Sequence, residues 1–261
     1  MKSILPFILF LLLLSCRNNS SSNTSNVYNR IVSLSPSITR MIIDMNESEH
    51  LIGITPFCPH VQNAELIGNS IIPSIEKIIS LNPDLVIMSI EDETMIKNEQ
   101  IESAGIKVLY LKESKSYSDI ESNYRLIAEK LNYCPDNKLA EYRKIINSFP
   151  TRNYKKAVIL LNSVPIVAVS SNSFMSDAAE IAGYHNMIKT KNPYPFISLE
   201  YLSKLNPDII LISDYGGASE LSNILSRIGS RKISLHEYSS ENSCYYTPQD
   251  FIASIRSFKE K

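Results

Sequence analysis

Residues 73–89 read PSIEKIISLNPDLVIMS, and residues 197–213 read ISLEYLSKLNPDIILIS. At an offset of 124 positions, seven of the 17 are identical: Ser74/Ser198, Glu76/Glu200, Leu81/Leu205, Asn82/Asn206, Pro83/Pro207, Asp84/Asp208 and Ser89/Ser213. Both copies follow one physical pattern. A Ser stands where it can cap a helix, and a Glu in the first turn suits the helix dipole. Apolar residues follow at helical spacing: Ile75, Ile78 and Ile79 in one copy, Leu199, Leu202 and Leu205 in the other. Asn-Pro-Asp ends the helix, because Pro has no N–H and pushes the residue before it out of helical geometry. The apolar runs 85–88 and 209–212 then read as buried strands. A helix–stop–strand unit duplicated at this distance predicts two similar lobes, each larger than the unit itself.

The rest of the chain alternates in the same way. Residues 31–34 and 51–54 read as strands, with a helix from Ser37 to about Asp44 between them. A helix over 94–104 stops at Gly105, and a strand follows at 107–111. Helical periodicity covers 117–131 and 136–149; the second of these is a stiff strut between the lobes. The scheme then restarts with a strand at 157–161, a helix at 173–182, the second repeat, a helix at 221–228 and a strand at 232–235. Thr247 caps a last helix with Pro248 in its first turn. Strands alternating with helices imply an α/β fold with parallel sheets flanked by helices and right-handed crossovers. The expected divisions are an N-terminal lobe at 30–133, a bridging helix at 134–150 and a C-terminal lobe at 151–261.

The N-terminus is a targeting segment. Residues 4–14 are apolar except for Pro6 and too short for a spanning helix, so 1–15 read as a signal peptide. It ends Leu13-Leu14-Ser15-Cys16, which resembles a bacterial lipobox. Cys16 would then be the lipidated first residue, holding the protein to a membrane on its extracytoplasmic side. The alternative is an ordinary secretory signal with a chance Cys. Residues 16–29, rich in Ser and Asn, form a flexible tether. Cys58, Cys134 and Cys244 remain, enough for one disulfide with a thiol left over. A net charge of -1 gives no signal for nucleic acid, and only 7 glycines argue against a glycine-loop nucleotide enzyme.

Catalytic signatures are missing: the chain has no GxSxG, P-loop or HExxH. The histidines His50, His60, His185 and His236 have no metal-motif spacing, although His60, His185 and His236 could form a direct zinc or manganese site if the fold gathered them. Cys58 and His60 could make a thiol nucleophile pair, with no acid evident to orient the base. The loops carry more information. Phe57 in the first half and Tyr194, Tyr215, Tyr245 and Tyr246 in the second could line a cleft that grips a large, partly flat ligand.

From Arg30 onward the chain resembles the substrate-binding proteins of ABC importers for cobalamin, haem and ferric siderophores. The segments RIVSLSPSITRMI, LIGITPFCPH, SIEKIISLNPDLVIMS and AGIKVLYL match in order and spacing, SLEYLSKLNPDIILIS recurs in the second half, and TPFCPH is most like the cobalamin branch. The resemblance implies two lobes bridged by one long backbone helix, with a ligand cleft between them and little opening or closing. It implies a monomeric, non-enzymatic receptor with no cofactor of its own. Its partners would be a small-molecule metal chelate, an ABC permease dimer with its ATPase and, through the lipid anchor, a membrane. By motif position Glu76 and Glu200 would dock on the permease. Phe57, Ser70, Ser89, Tyr194, Glu241 and Tyr245 would face the ligand. Ser70, Ser89 and Tyr194 stand where a cobalamin binder of this family carries tryptophans; this chain has none.

Overall fold

The computed structural model describes residues 27–68, 73–89, 98–149, 154–227, 233–240 and 245–259. The expected signal peptide, Cys16, Ser70, Glu241 and Cys244 lie outside the described residues, as do positions 94–97 of the expected helix 94–104.

Two sheets organise the chain. The first contains β1 (Ile31–Ser33), β2 (Leu51–Ile54), β3 (Glu65–Leu66), β4 (Leu85–Ser89) and β5 (Lys107–Leu111) in the order β3-β2-β1-β4-β5, with every pairing parallel. The second has the order β10-β9-β6-β7, built from β6 (Lys155–Ser163), β7 (Ile166–Val169), β9 (Ile209–Ser213) and β10 (Ser234–Tyr238), with β8 (Tyr184–Asn186) also beside β6. Its pairings are parallel except β6 with β7. That hairpin departs from the all-parallel expectation. It turns at Val164-Pro165, where Asn162 Nδ2 donates to the carbonyls of Val164 (2.8 Å) and Pro165 (3.2 Å).

Helices cover both faces: α1 (Pro36–Asp44), α2 (Ile75–Ser80), α3 (Asn98–Ser103), α4 (Tyr117–Lys130), α5 (Asp136–Asn147), α6 (Phe174–Ala182), α7 (Leu199–Leu205), α8 (Ala218–Arg227) and α9 (Pro248–Lys259). Strand alternation sorts the apolar residues into layers. Val32, Val86 and Met88 face outward with Ile78 and Ile101, while Val158, Leu160, Ile210 and Ile212 face outward with Leu202 and Leu221. The opposite faces share one core. Ile31 and Ile87 of the first sheet join Ile159 and Leu211 of the second through Tyr124, Leu139, Phe174 and Phe251, from α4, α5, α6 and α9. Helix α5 falls within the span 134–150. It is shorter than that span, at 12 residues, and is packed among the others.

The repeat has a physical role that its sequence did not reveal. Ser74 Oγ accepts from Lys77 N at 3.2 Å and Ser198 Oγ from Tyr201 N at 3.1 Å, so both caps form. Asn82 (φ 48°) and Asn206 (φ 46°) then adopt the left-handed conformation, which Asn tolerates better than other side-chain-bearing residues. The Asp closes the unit. Asp84 accepts from the backbone N–H of Asn29 (2.9 Å) and Arg30 (3.0 Å), and Asp208 from that of Lys156 (2.8 Å). Each carboxylate thus fixes the start of the central strand of its sheet, β1 or β6.

Candidate functional site

Ligands of open parallel sheets sit beyond the carboxyl ends of the strands. In the first lobe those ends carry Ser35 after β1, the loop 55–60 after β2, Ser89 on β4 and residues 112–114 after β5. A cavity of about 130 Å³ lies there, lined by Ser35, Ser37, Ser89, Lys112, Asn123 and Tyr246 among others. Its floor is held by Asn123, 4% exposed, whose Nδ2 donates to Lys112 O (2.7 Å) and Ser114 Oγ (3.1 Å). Tyr246 reaches it from the C-terminal part of the chain, after β10 has ended beside the carboxyl end of β9. The cavity therefore lies where the lobes meet.

A polar clasp joins the lobes beside it. Tyr246 N donates to Ser37 Oγ at 3.1 Å, and the Tyr246 ring packs edge-on against Phe174 with centroids 4.8 Å apart. Arg40 on α1 lays its guanidinium 4.1 Å from the centroid of Tyr245 and pairs through Nη1 with Asp250 Oδ1 at 3.3 Å. Asp250 also accepts from its own capping residue, Thr247. Burial raises the Asp250 carboxyl above the usual carboxylate range; the Thr247 hydrogen bond and the Arg40 charge pull the other way. Asp177 on α6 accepts from Tyr117 N at 2.8 Å, and burial raises its pKa in the same sense. Burial, with help from the Glu121 charge, pushes the Tyr117 phenol up to about 12.

Phe57 is 64% exposed after β2, and Ser89 lines the junction cavity. Tyr194 is half-buried against the shared core, and Tyr245 lies under Arg40. Phe196, two residues beyond Tyr194, is 73% exposed, and Tyr215 is 84% exposed. Sequence reasoning passed over Phe196; the available signal was its place just before the Ser198 cap. Arg40 and Lys112 were also missed.

Glu76 and Glu200 sit alike, exposed in the first turns of α2 and α7. Glu76 Oε2 accepts from Ser74 Oγ at 3.1 Å, and Glu200 Oε1 pairs with Lys204 at 2.7 Å. The histidines are not gathered into one site. His185 lies on β8 at the amino end of β6 and pairs with Glu180 at 3.0 Å. Among the described residues, Glu47, Glu49 and His50 are the one set of three potential metal ligands within mutual reach. Cys58 Sγ lies 3.2 Å from Thr55 Oγ1, and the thiols of Cys58 and Cys134 are free.

Residues 31–228 match the family model described as periplasmic binding protein. The chain belongs to this family. Its members bind and hand over substrates for transport and are not enzymes. Its relatives include the Fe(3+)-citrate-binding protein YfmC of Bacillus subtilis, 30% identical over 64% of this chain and 59% of that protein. The vitamin B12-binding protein of Photorhabdus laumondii is 24% identical over 80% of each. The chain thus matches less than two thirds of the length of the first relative and four fifths of the second. Family structures share the fold. The periplasmic haem-binding protein HutB of Vibrio cholerae superposes with a TM-score of 0.72 at 19% identity, covering 88% of this chain and 97% of that one. The periplasmic vitamin B12-binding protein BtuF of the same species gives 0.67 at 17%, covering 89% and 95%. Among the described residues no helix is long and apolar enough to cross a membrane.

Proposed function

We propose that this protein is the receptor of an ABC importer, taking up a metal chelate beyond the strand ends of both lobes and delivering it to a permease. The observation that carries this reading is the matched pair α2 and α7. Each is a Ser-capped helix with an exposed Glu in its first turn, one per lobe, in a family of transport receptors. Two like carboxylates on two like lobes suit a permease of two subunits, where complementary charge sets orientation. The relatives' substrates, ferric citrate and vitamin B12, mark the chemical range. In this reading Phe57, Ser70, Ser89, Tyr194, Glu241 and Tyr245 face the ligand. Residues 30–133 and 151–261 form the lobes, 134–150 bridge them, and a lipid on Cys16 with the tether to residue 29 holds the monomeric receptor outside the cytoplasm.

The test is the double variant Glu76→Ala/Glu200→Ala. It is expected to keep the wild-type affinity for ligand and to lose uptake in cells. Uptake at the wild-type level would remove the docking role.

A further inference from the structure

The connection between α1 and β2 is short and held at both ends. Asn46, at φ 61°, ends α1 in the left-handed conformation. Asn46 N donates to Ile43 O (2.9 Å) and Glu47 N to Ile42 O (3.1 Å), a pair of bonds that closes the C-terminus of a helix. Ser48–His50 then make one 3₁₀ turn, with His50 N donating to Glu47 O (3.2 Å), and Leu51 enters β2. Met45 and Leu51, on either side of the turn, are 1% and 2% exposed and belong to the shared core. The backbone of the turn is therefore fixed from both sides.

In a 3₁₀ turn, residues i and i+3 lie one above the other. Here those residues are Glu47 and His50, and His50 Nε2 lies 3.0 Å from Glu47 Oε2. The two side chains are only 25% and 18% exposed. Glu49 brings a third donor, and the ligand atoms of all three lie within 4.8 Å of one another. Among the described residues neither Glu is paired with a Lys or Arg, so no fixed cation balances the two carboxylates. Carboxylates alone favour calcium or magnesium and need six or more oxygens. An imidazole nitrogen with two carboxylate oxygens is instead a donor set for zinc and its neighbouring transition metals. Two donors on one zinc ion are about 3.4 Å apart, from bonds of about 2.1 Å at the tetrahedral angle, so gathering these three takes shifts of at most about 1.4 Å.

We infer that Glu47, Glu49 and His50 bind one divalent transition metal such as zinc, as a resident ion that ties the end of α1 to the start of β2. The ion's double charge neutralises the two carboxylates, and water completes its coordination. Its place separates it from any transported ligand. Ile31 at the start of β1 pairs with Leu51 at the start of β2, so the set stands at the amino edge of a parallel sheet, and the junction cavity lies beyond the carboxyl edge. From His50 to Thr55, the first residue of the loop on that far side, the chain spans about 16 Å of strand. The set is also distinct from the direct zinc or manganese site expected of His60, His185 and His236, none of which belongs to it. The inference does not rest on the receptor reading, since an ion here holds the turn whatever the cleft carries.

The experiment titrates the full-length chain, without an affinity tag and stripped of metal, with zinc chloride by calorimetry. Wild type is expected to take up one zinc per chain and to melt at a higher temperature with zinc than without it. His50→Ala should bind zinc about tenfold or more weakly and lose the melting shift. Glu47→Gln/Glu49→Gln, which keeps the imidazole, should show the same loss, and circular dichroism checks that each variant folds. The triple variant His60→Ala/His185→Ala/His236→Ala should bind as wild type does. Three results would overturn the site: no stoichiometric zinc on wild type, wild-type affinity in folded His50→Ala, or loss of binding in the folded triple variant. The last would favour a direct metal receptor instead. None of these results bears on Glu76 and Glu200, whose test is uptake.

Discussion

Asp84 and Asp208 each perform a task that neither residue's neighbours in sequence disclose. They look like turn residues after Asn-Pro, yet their partners are 54 and 52 positions away at the start of a central strand. Around the first of them, Arg30 also donates from Nε to Asn82 O (3.1 Å) and from Nη2 to Leu81 O (2.6 Å), so one strand start satisfies the carbonyls at the end of α2. Replacing Asp84 or Asp208 by Ala leaves backbone N–H groups to water at exposed positions, so each change is expected to cost about 1 kcal/mol. Urea unfolding of the single variants checks the value. The double variant should be additive, since the two clamps lie in different lobes and share no partner. The repeat was legible in sequence because seven identities recur at a fixed offset. Its purpose was not, because hydrogen bonds across more than 50 positions leave no local pattern.

Helices and strands were readable where a period or a cap marked them. Residues 117–131 and 136–149 carried helical periodicity and became α4 and α5, shortened by one and two residues at their C-termini. Thr247 caps α9 as its position indicated, and Ser173, expected as the first residue of a helix, is instead the cap of α6. Strand β7 went unread, because four apolar residues after Val-Pro look like any buried run, and only the fold decides that they turn back along β6. The pairing of α4 with α5 was likewise hidden. Glu121 on α4 accepts from Arg125 on its own helix and from Arg143 on α5, while Arg125 also reaches Asp136 at 2.7 Å. Burial alone would raise the Glu121 pKa, but the hydrogen bonds and charges of Arg143 and Arg125 outweigh it, and the folded value falls below the ordinary 4.5. The sign follows from proton linkage: above about pH 4.5 the clasp contributes in full, and its contribution is lost as pH falls through the depressed folded value. Urea unfolding of wild type and Glu121→Gln over a pH series should therefore show wild type more stable at neutral pH and the difference shrinking in acid. A gap that stays constant down to pH 3 would exclude the charged clasp.

At the scale of the whole molecule, the two-lobed plan and its single core point in different directions, and the core decides the mechanics. Domains joined by small polar interfaces move freely relative to one another. Here the inner faces of both sheets pack on one apolar layer, in which Phe251, Ile255 and Phe174 are 0–1% exposed, and the Tyr117 ring packs at a tilt against Phe251 with centroids 5.1 Å apart. Separating the lobes would expose that layer, so a wide hinge motion is opposed by the same burial that stabilises each half. Under the proposed function, ligand capture would then proceed with small rearrangements at the strand ends, and α2 and α7 would keep a nearly fixed spacing. The shared layer also couples the lobes thermodynamically. Truncating Phe251 to Ala removes a fully buried ring from this layer, with an expected cost of about 3–5 kcal/mol. Because the layer belongs to both lobes, hydrogen exchange should show the amides of β1 and β4 and those of β6 and β9 losing protection together, by similar factors. Loss of protection confined to the second lobe would mean that the lobes unfold independently, and a fixed spacing of α2 and α7 would have to come from another source.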